Sequence, residues 1–270
     1  MATEHKITVT TKTLLDMKAR GEKIACLTAY DASFTHQLET AGIDIILIGD
    51  SLGMVVQGRD STLAVTVSDM VYHGSCVARA GKSALRIIDM PFMSYSNVTK
   101  ALDNAARLMS EGVAHMVKLE GGEIVLDVVS ALVSRGIPVC VHLGLLPQSV
   151  HQLGGYRVQG KQQIDAEQIT KAALDLEQAG ASMLVLECVP SSLAKSITEQ
   201  LKMPVIGIGA GVDCDGQVLV LYDMLGITPG KRPRFSKNFL TGTGDVPAAL
   251  TAYVQAVKDG SFPADEHSFT

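Results

Sequence analysis

The sequence lacks several features that would mark it for a particular class of protein. It has no tryptophan, and aromatic residues make up only 4% of its 270 residues. The net charge is −5 and no block of lysine and arginine stands out, so the composition gives no electrostatic argument for nucleic acid or an anionic membrane. The first residues have no apolar signal core, and no apolar run is long enough to span a membrane. We therefore expect a soluble cytoplasmic protein without a nucleic-acid or membrane partner.

Cysteine is also scarce, and its placement excludes two kinds of site. The five cysteines are odd in number, lie far apart and form no CxxC pair. This pattern argues against a disulfide framework or a zinc site and favours buried free thiols in a reducing compartment. The five are Cys26, Cys76, Cys140, Cys188 and Cys214.

Short aliphatic runs are what the sequence has in abundance, since 47% of its residues are hydrophobic. Eight of these runs are nearly continuous in apolar character, which is typical of strands covered on both faces in a parallel sheet. The predicted strands are "IACLTA" from Ile24, "DIILIG" from Asp44, "ALRIID" from Ala84, "AHMVKLE" from Ala114, "IPVCVHL" from Ile137, "SMLVLE" from Ser182, "PVIGIG" from Pro204 and "VLVLYDM" from Val218.

Helical patterns separate the strands, and a further helix, "GDVPAALTAYVQAVKDGSF", follows the last one. Four of the predicted helices end in the same way, with a glycine between the helix and the next strand. The four segments are "ETAGID", "SEGVAH", "SRGIPV" and "EQAGAS". The predicted helices are Ser33–Ala41, Ser68–Ala80, Asn97–Glu111, Glu123–Ser134, Ala166–Ala179 and Ser192–Glu199.

This iterated βα unit predicts a closed (βα)₈ barrel. We expect one domain over residues 1–270, with a short N-terminal extension and a frayed C-terminal tail. A doubly wound open sheet is the alternative, because periodicity alone does not show whether a sheet closes.

Polar residues stand at the ends of five successive predicted strands. The carboxyl ends of parallel strands face the same way in a barrel, so these side chains should share one pocket. A buried acidic tip is costly unless a cation or donor meets it. The candidate site residues are Asp50 and Ser51 after the second strand, Asp89 on the third, Lys118 and Glu120 on the fourth, His142 on the fifth and Glu187 on the sixth.

Asp50, Asp89 and Glu120 offer oxygen ligands from three consecutive strands, a set that suits Mg²⁺. Lys118 and Glu120 are two residues apart and therefore point to the same face of their strand. Each of these residues alone also fits a helix cap, a loop ligand or an ordinary ion pair, and His142 alone fits a satisfied polar side chain. The pattern over five strands favours a functional site.

Two glycine-containing segments have open interpretations. "GIGAG" (Gly207–Gly211) fails the GxGxxG pattern because Val212 occupies the third glycine position, so its glycines instead indicate a close approach of the backbone to a ligand. "LGGYRVQGK" (Leu153–Lys161) fits either a mobile lid or a plain surface loop.

The motifs "LTAYDA", "GDSLGMVVQGRDSTLAVT", "DMPFMSY", "VKLEGG", "VHLGLLPQSV", "LECVP" and "PVIGIGAG" occur in this order. With them, the sequence resembles the ketopantoate hydroxymethyltransferase (3-methyl-2-oxobutanoate hydroxymethyltransferase) family. The resemblance runs from "KITVTTKTLLDM" to "GKRPRFSKNFL", nearly the whole chain.

The resemblance implies a (βα)₈ TIM barrel of the phosphoenolpyruvate/pyruvate type that forms a decamer. It also implies transfer of a hydroxymethyl group from 5,10-methylenetetrahydrofolate to 3-methyl-2-oxobutanoate through a Mg²⁺-stabilised enolate, which gives 2-dehydropantoate in the first step toward pantothenate and coenzyme A. The roles that it implies are Asp50 and Asp89 as metal ligands with Glu120 in the metal's shell, Ser51 and Lys118 holding the keto acid, and Glu187 as proton acceptor. From the chemistry of such a site we also expect His142 to bond to substrate or product.

Two other functions compete with this one. A Mg²⁺-dependent C–C lyase of the same barrel type would share the carboxylates but would need no folate. A barrel that has lost activity and serves as a binding protein is the second alternative.

Overall fold

The centre of the protein is a closed barrel of eight parallel strands, each paired with the next in chain order and the eighth paired with the first. The computed structural model describes residues 8–155, 157–230 and 232–270. The barrel confirms the predicted (βα)₈ architecture and excludes an open sheet. Its strands are β1 (Ile24–Thr28), β2 (Ile45–Ile48), β3 (Leu85–Asp89), β4 (Met116–Glu120), β5 (Val139–Gly144), β6 (Met183–Glu187), β7 (Val205–Ile208) and β8 (Gly216–Leu219).

Helices surround the barrel and connect its strands. No helix among the described residues is long and apolar enough to cross a membrane. The helices are α1 (Thr11–Ala19), α2 (Ala32–Ala41), α3 (Leu52–Val55), α4 (Val67–Ala80), α5 (Val98–Ser110), α6 (Leu126–Val133), α7 (Val150–Leu153), α8 (Gln163–Gln178), α9 (Ser191–Gln200), α10 (Leu221–Met224) and α11 (Val246–Lys258).

Alternate side chains of each strand point into the barrel and make up its interior. Ile24 and Cys26 of β1 belong to an apolar cluster that also takes alternate residues from the other strands, such as Met116 of β4. The next inward position of β4 after Met116 is Lys118, and the one after that is Glu120. The interior therefore changes from apolar to polar toward the carboxyl ends of the strands, and this change places the site.

Helix α1 closes the opposite end of the barrel, a role that the sequence analysis did not predict. Leu14 and Met17 are buried in the same interior cluster. Lys18 Nζ lies 2.7 Å from Asp215, just before β8, and donates to the Thr198 carbonyl at 2.9 Å. The predicted N-terminal extension therefore includes a helix that seals the amino-terminal end of the barrel.

The predicted position of the eighth strand is wrong. "VLVLYDM" begins at Val218, whereas β8 begins at Gly216 and ends at Leu219, and Leu221 to Met224 form helix α10. The cause is close packing, because a Cβ at Gly216 would collide with the Ile24 carbonyl oxygen of β1. The strand starts with a glycine and a glutamine, so its first half carries no apolar signal.

The prediction of a frayed C-terminal tail is also wrong. Phe262 and His267 are buried, and Phe262 makes ring contacts with Phe239 and Tyr253. Ser191 N donates to the Phe269 carbonyl at 2.9 Å, which joins the tail to the start of α9. Aromatic packing and this backbone contact hold the tail against the barrel.

The glycine junctions are confirmed at three of the four positions, where Gly42, Gly136 and Gly180 have positive φ. At "SEGVAH" the left-handed residue is Val113 instead. Gly112 has a different role there, because a Cβ on it would lie 2.7 Å from the Leu108 carbonyl oxygen. Packing of the chain against α5 explains that glycine.

Glu39 at the end of α2 holds the chain that leads into β3, and we predict that Glu39→Gln destabilises the protein. Its carboxylate accepts the backbone N–H groups of Lys82, Ser83 and Ala84 and the Ser83 hydroxyl. Burial raises the pKa of Glu39, but these hydrogen bonds outweigh burial and lower it from 4.5. The loss should be about 1–2 kcal/mol, since one carboxylate oxygen is replaced by a donor.

The lowered pKa of Glu39 determines how its contribution to stability depends on pH. Because the folded-state pKa is lowered, the stabilisation is complete above the ordinary pKa and disappears as the pH falls through the lowered value. Urea unfolding of wild type and Glu39→Gln at several pH values measures it, with exposed Glu199→Gln as the matched control. Equal stability of all three proteins at neutral pH would contradict the assignment.

Candidate active site

The barrel opens at the carboxyl ends of its strands into a cavity of about 940 Å³. Its size lies in the range of sites for drug-sized ligands. The structure brings together in its lining all seven residues that the sequence singled out: Asp50, Ser51, Asp89, Lys118, Glu120, His142 and Glu187.

A buried ion pair forms the floor of the cavity. Lys118 Nζ lies 2.7 Å from Asp89 Oδ1, and both side chains are at most 5% exposed. Asp89 Oδ2 also accepts the backbone N–H of Asp50 at 3.0 Å. Burial lowers the pKa of Lys118, but the charges of Asp89, Glu120 and Asp50 outweigh burial and raise it well above its ordinary value. The ammonium group is therefore fixed and charged beneath the cavity.

Gln148, which the sequence analysis missed, links two of the carboxylates. Its side-chain nitrogen donates to Asp50 Oδ2 at 2.8 Å and to the Met90 carbonyl at 3.0 Å. Its backbone N–H donates to Glu120 Oε2 at 3.0 Å, and its side-chain oxygen accepts the Tyr95 hydroxyl at 2.6 Å. Gln148 thus fixes the orientation of both carboxylates from the turn after β5.

Tyr30 is a second missed residue, and it holds the candidate substrate ligand Ser51. The two hydroxyl groups are 2.8 Å apart. Tyr30, Tyr95 and Gln148 lie within the motifs "LTAYDA", "DMPFMSY" and "VHLGLLPQSV". Their place in those motifs was the available signal, because none of them ends a strand with a charged group.

His142 lies between two carboxylates. Nδ1 is 3.4 Å from Glu120 Oε1, and Nε2 is 3.2 Å from Glu187 Oε2. Neither contact has hydrogen-bond geometry, so both ring nitrogens and Glu120 Oε1 are buried without a hydrogen-bond partner among the described residues. Burial lowers the pKa of His142, but the flanking carboxylates outweigh burial and raise it to about 9. The flanking carboxylates therefore favour the charged imidazole, whose two ring nitrogens face Glu120 and Glu187.

The carboxylates leave an excess of negative charge around Asp50. Burial and the charges of Asp89 and Glu120 raise the pKa of Asp50 well above its ordinary value. A divalent cation would relieve this repulsion, and the oxygen donors suit Mg²⁺. Within the described ranges, no group of three or more His, Cys, Asp and Glu side chains is close enough to hold a metal alone. The donors fit a cation whose shell is completed by water and substrate.

The two glycine-containing segments border the cavity in different ways. Arg157 and Val158 of the predicted lid line it, and Gln159 N donates to the Cys188 carbonyl at 2.9 Å. Tyr156, part of the same prediction, lies outside the described residues. Closure of this segment stays a prediction. The "GIGAG" glycines pack against the protein's own side chains, as described below.

The mouth of this (βα)₈ barrel gathers carboxylates, a lysine and a charged histidine. These features define the protein as a barrel enzyme with an acid–base site. A sequence model of ketopantoate hydroxymethyltransferase matches residues 8–265. The chain therefore belongs to the ketopantoate hydroxymethyltransferase family.

Curated relatives agree with this assignment. The 3-methyl-2-oxobutanoate hydroxymethyltransferase of Nitrosococcus oceani is 60% identical over 256 residues, which cover 95% of this chain and 97% of the relative. The enzyme of the same name from Marinobacter nauticus is 59% identical over 261 residues, covering 97% and 98%. The chain is thus a hydroxymethyltransferase, an enzyme that transfers a one-carbon group.

Solved structures share the fold at low sequence identity. A phosphonopyruvate hydrolase in complex with oxalate and Mg²⁺ superposes with a TM-score of 0.60 at 13% identity, covering 78% of this chain and 81% of that one. A 2,3-dimethylmalate lyase of the PEP mutase/isocitrate lyase superfamily gives 0.58 at 15% identity, covering 82% and 81%. This likeness concerns the fold alone and agrees with the closed (βα)₈ barrel.

We predict that Lys118→Met destabilises the protein by about 3–5 kcal/mol, because the buried Asp89 carboxylate loses its partner. Urea unfolding measures the effect.

The double variant Asp89→Asn/Lys118→Met is the control, since it removes both charges of the pair. It should recover much of the lost stability. A double variant as unstable as Lys118→Met would show that packing of the lysine chain, rather than charge compensation, causes the loss.

Proposed function

We propose that the protein transfers a hydroxymethyl group from 5,10-methylenetetrahydrofolate to 3-methyl-2-oxobutanoate, giving 2-dehydropantoate and tetrahydrofolate. This reaction would be the first step of pantothenate and coenzyme A biosynthesis. The observation that carries the proposal is that Asp50, Asp89, Lys118 and Glu187 share one cavity in a member of the ketopantoate hydroxymethyltransferase family.

We further propose Mg²⁺ as the cofactor, with Asp50 and Asp89 as ligands and Glu120 in its shell. The ion would polarise the ketone of the keto acid and so acidify its C3 proton. Asp89 already gives one oxygen to Lys118 and the other to the backbone of Asp50, whereas Glu120 Oε1 makes no hydrogen bond among the described residues and lies 3.4 Å from His142 Nδ1. The Asp50 repulsion described above supports a cation at this place.

The chain's own groups would perform the proton transfer. Glu187 ends β6 at the cavity and would accept the C3 proton, while the Lys118 ammonium stabilises charge that develops on the ketone oxygen. Ser51 and Lys118 would hold the keto acid, and His142, 3.2 Å from Glu187, would bond to substrate or product.

The transfer step balances with one water. C3 forms a bond to the one-carbon unit while the bonds of that unit to the folate nitrogens break, and water supplies the hydroxyl group. A Mg²⁺-dependent C–C lyase would need neither folate nor this step. Assays with the keto acid, with and without methylenetetrahydrofolate, separate the two, since a lyase would instead cleave a hydroxylated acid.

We also propose a cytoplasmic homo-oligomer, with a decamer as the state implied by the family resemblance. All five cysteines are free, and four of them are buried, which fits a reducing compartment. Native mass spectrometry reads the oligomeric state directly, and a monomer would contradict this part of the proposal.

We predict that Glu187→Gln abolishes Mg²⁺-dependent exchange of the C3 proton of the keto acid in the absence of folate. The amide keeps the size of the side chain but cannot accept the proton, and a general base contributes roughly 10²–10⁴-fold. Proton NMR in D₂O measures exchange, and calorimetry verifies that the keto acid still binds.

The matched control is Glu199→Gln on the exposed face of α9, which should exchange like wild type. Exchange by Glu187→Gln at the wild-type rate would exclude Glu187 as the base. A wild-type protein that binds the keto acid but neither exchanges nor transfers would support the inactive binding protein instead.

We predict that Asp50→Asn and Gln148→Leu both weaken Mg²⁺ binding measured with the keto acid present. Loss of a residue that orients a ligand typically costs 10–100-fold in metal affinity, so Gln148→Leu should fall in that range. Asp60→Asn, at an exposed carboxylate on the outer part of the cavity, is the control. Unchanged calorimetric titrations of Asp50→Asn would refute the ligand assignment.

A further inference from the structure

The C-terminal tail forms part of the wall of the active-site cavity. The carbonyl oxygen of Phe269 accepts the Ser191 N–H at 2.9 Å, and Phe269 pairs with Pro190 in a parallel bridge. Phe269 lines the same cavity as Glu187.

A second aromatic residue, Phe235, packs together with the tail on Gly209 of "GIGAG". Gly209 has φ +61°, and a Cβ on it would lie 3.0 Å from Phe269 Cε2 and 3.1 Å from Phe235 Cβ. Gly209 is glycine because two aromatic residues pack onto its backbone. Phe235 also lines the cavity, so its wall carries two phenyl rings at this point.

This aromatic wall lies beside the proposed base. In the barrel Glu187 pairs with Ile208, the residue just before Gly209. In the proposed reaction the carbon that loses its proton to Glu187 is also the carbon that attacks the one-carbon unit. The donor of that unit must therefore reach the keto acid close to Glu187, and the aromatic wall borders this position.

Charge divides the cavity into two regions. The floor carries Asp50, Asp89 and Glu120, whereas on the outer part arginines outnumber the exposed carboxylate of Asp60, among them Arg232 and Arg234 on the same loop as Phe235. The Arg234 guanidinium carbon lies 5.5 Å from the centroid of the Phe269 ring. A ligand that joins a planar ring system to carboxylates matches this outer region.

We infer that the wall built from Phe269, Phe235 and Arg234 is the binding site of the folate donor. This inference rests on the proposed function. The donor's flat ring system would pack on the phenyl rings, and its glutamate carboxylates would meet the arginines. The keto acid fits the wall poorly, because it has no ring and its oxygens are matched by the charged floor. The cavity of about 940 Å³ leaves room for both substrates.

The test compares Phe269→Leu with Phe269→Tyr. Leucine keeps an apolar side chain but removes the ring, so the KM for methylenetetrahydrofolate should rise about 10-fold, as expected for one lost stacking contact. The KM for the keto acid should rise much less. Tyrosine keeps the ring and should stay close to the wild-type KM for the donor.

Two further measurements keep the outcome clear. Phe92→Leu is the matched control, because Phe92 is 44% exposed and does not belong to the cavity lining. Calorimetric binding of tetrahydrofolate to Phe269→Leu reads the site without turnover, and should weaken in parallel with the KM. If Phe269→Leu does not fold, Phe235→Leu takes its place.

The outcomes separate the inference from the proposed function. An active wild type combined with an unchanged donor KM in folded Phe269→Leu and Phe235→Leu would overturn the inference alone. Equal rises in both KM values would also overturn it, because they would indicate a general disturbance of the cavity. A wild type that does not consume methylenetetrahydrofolate would overturn the proposed function and, with it, this site.

Discussion

The ammonium group of Lys118 is the charge on which the site depends. Asp50, Asp89 and Glu120 all lie within the buried floor, and each exposes less than a tenth of its surface. Carboxylates in such a place would take up protons or force the barrel apart without a cation. The 2.7 Å contact to Asp89 and the bonds from Gln148 fix the positions of these carboxylates. Their orientation is therefore set before any ligand arrives.

Strand alternation is the reason that so much of this site could be predicted from the sequence. An apolar run that ends in a charged residue can be read without coordinates, and parallel strands in a barrel then bring these ends together. Asp89, Glu120 and Glu187 end such runs, Lys118 lies two residues before the end of its strand, and the structure places all four in one cavity. The barrel itself follows from the same iterated pattern of strands and helices.

The missed features share a different physical origin, because they depend on contacts between segments distant in the chain. Gln148 is an uncharged residue in a turn, and it acts through an aspartate 98 residues away. The first half of β8 carries no apolar signal, since close packing against β1 requires glycine at position 216. Leu14 and Met17 of α1 reach the interior from outside the repeated pattern. Local hydrophobic periodicity does not predict contacts between distant segments, so these features are found only in the folded structure.

The difference in charge between the floor and the rim of the cavity suggests how proteins with the same barrel fold can catalyse different reactions. Solved barrels with the same fold at 12–15% identity include a hydrolase, a phosphomutase and a lyase, so the fold alone does not choose the chemistry. In this chain the loops and the tail add Phe235, Phe269 and arginines to the outer part of the cavity. In the proposed reaction the floor would activate one small substrate, and the rings and arginines of the rim would hold a second, larger substrate above it. The outer wall, more than the carboxylates, would then decide that the activated carbon meets a one-carbon donor rather than losing a fragment.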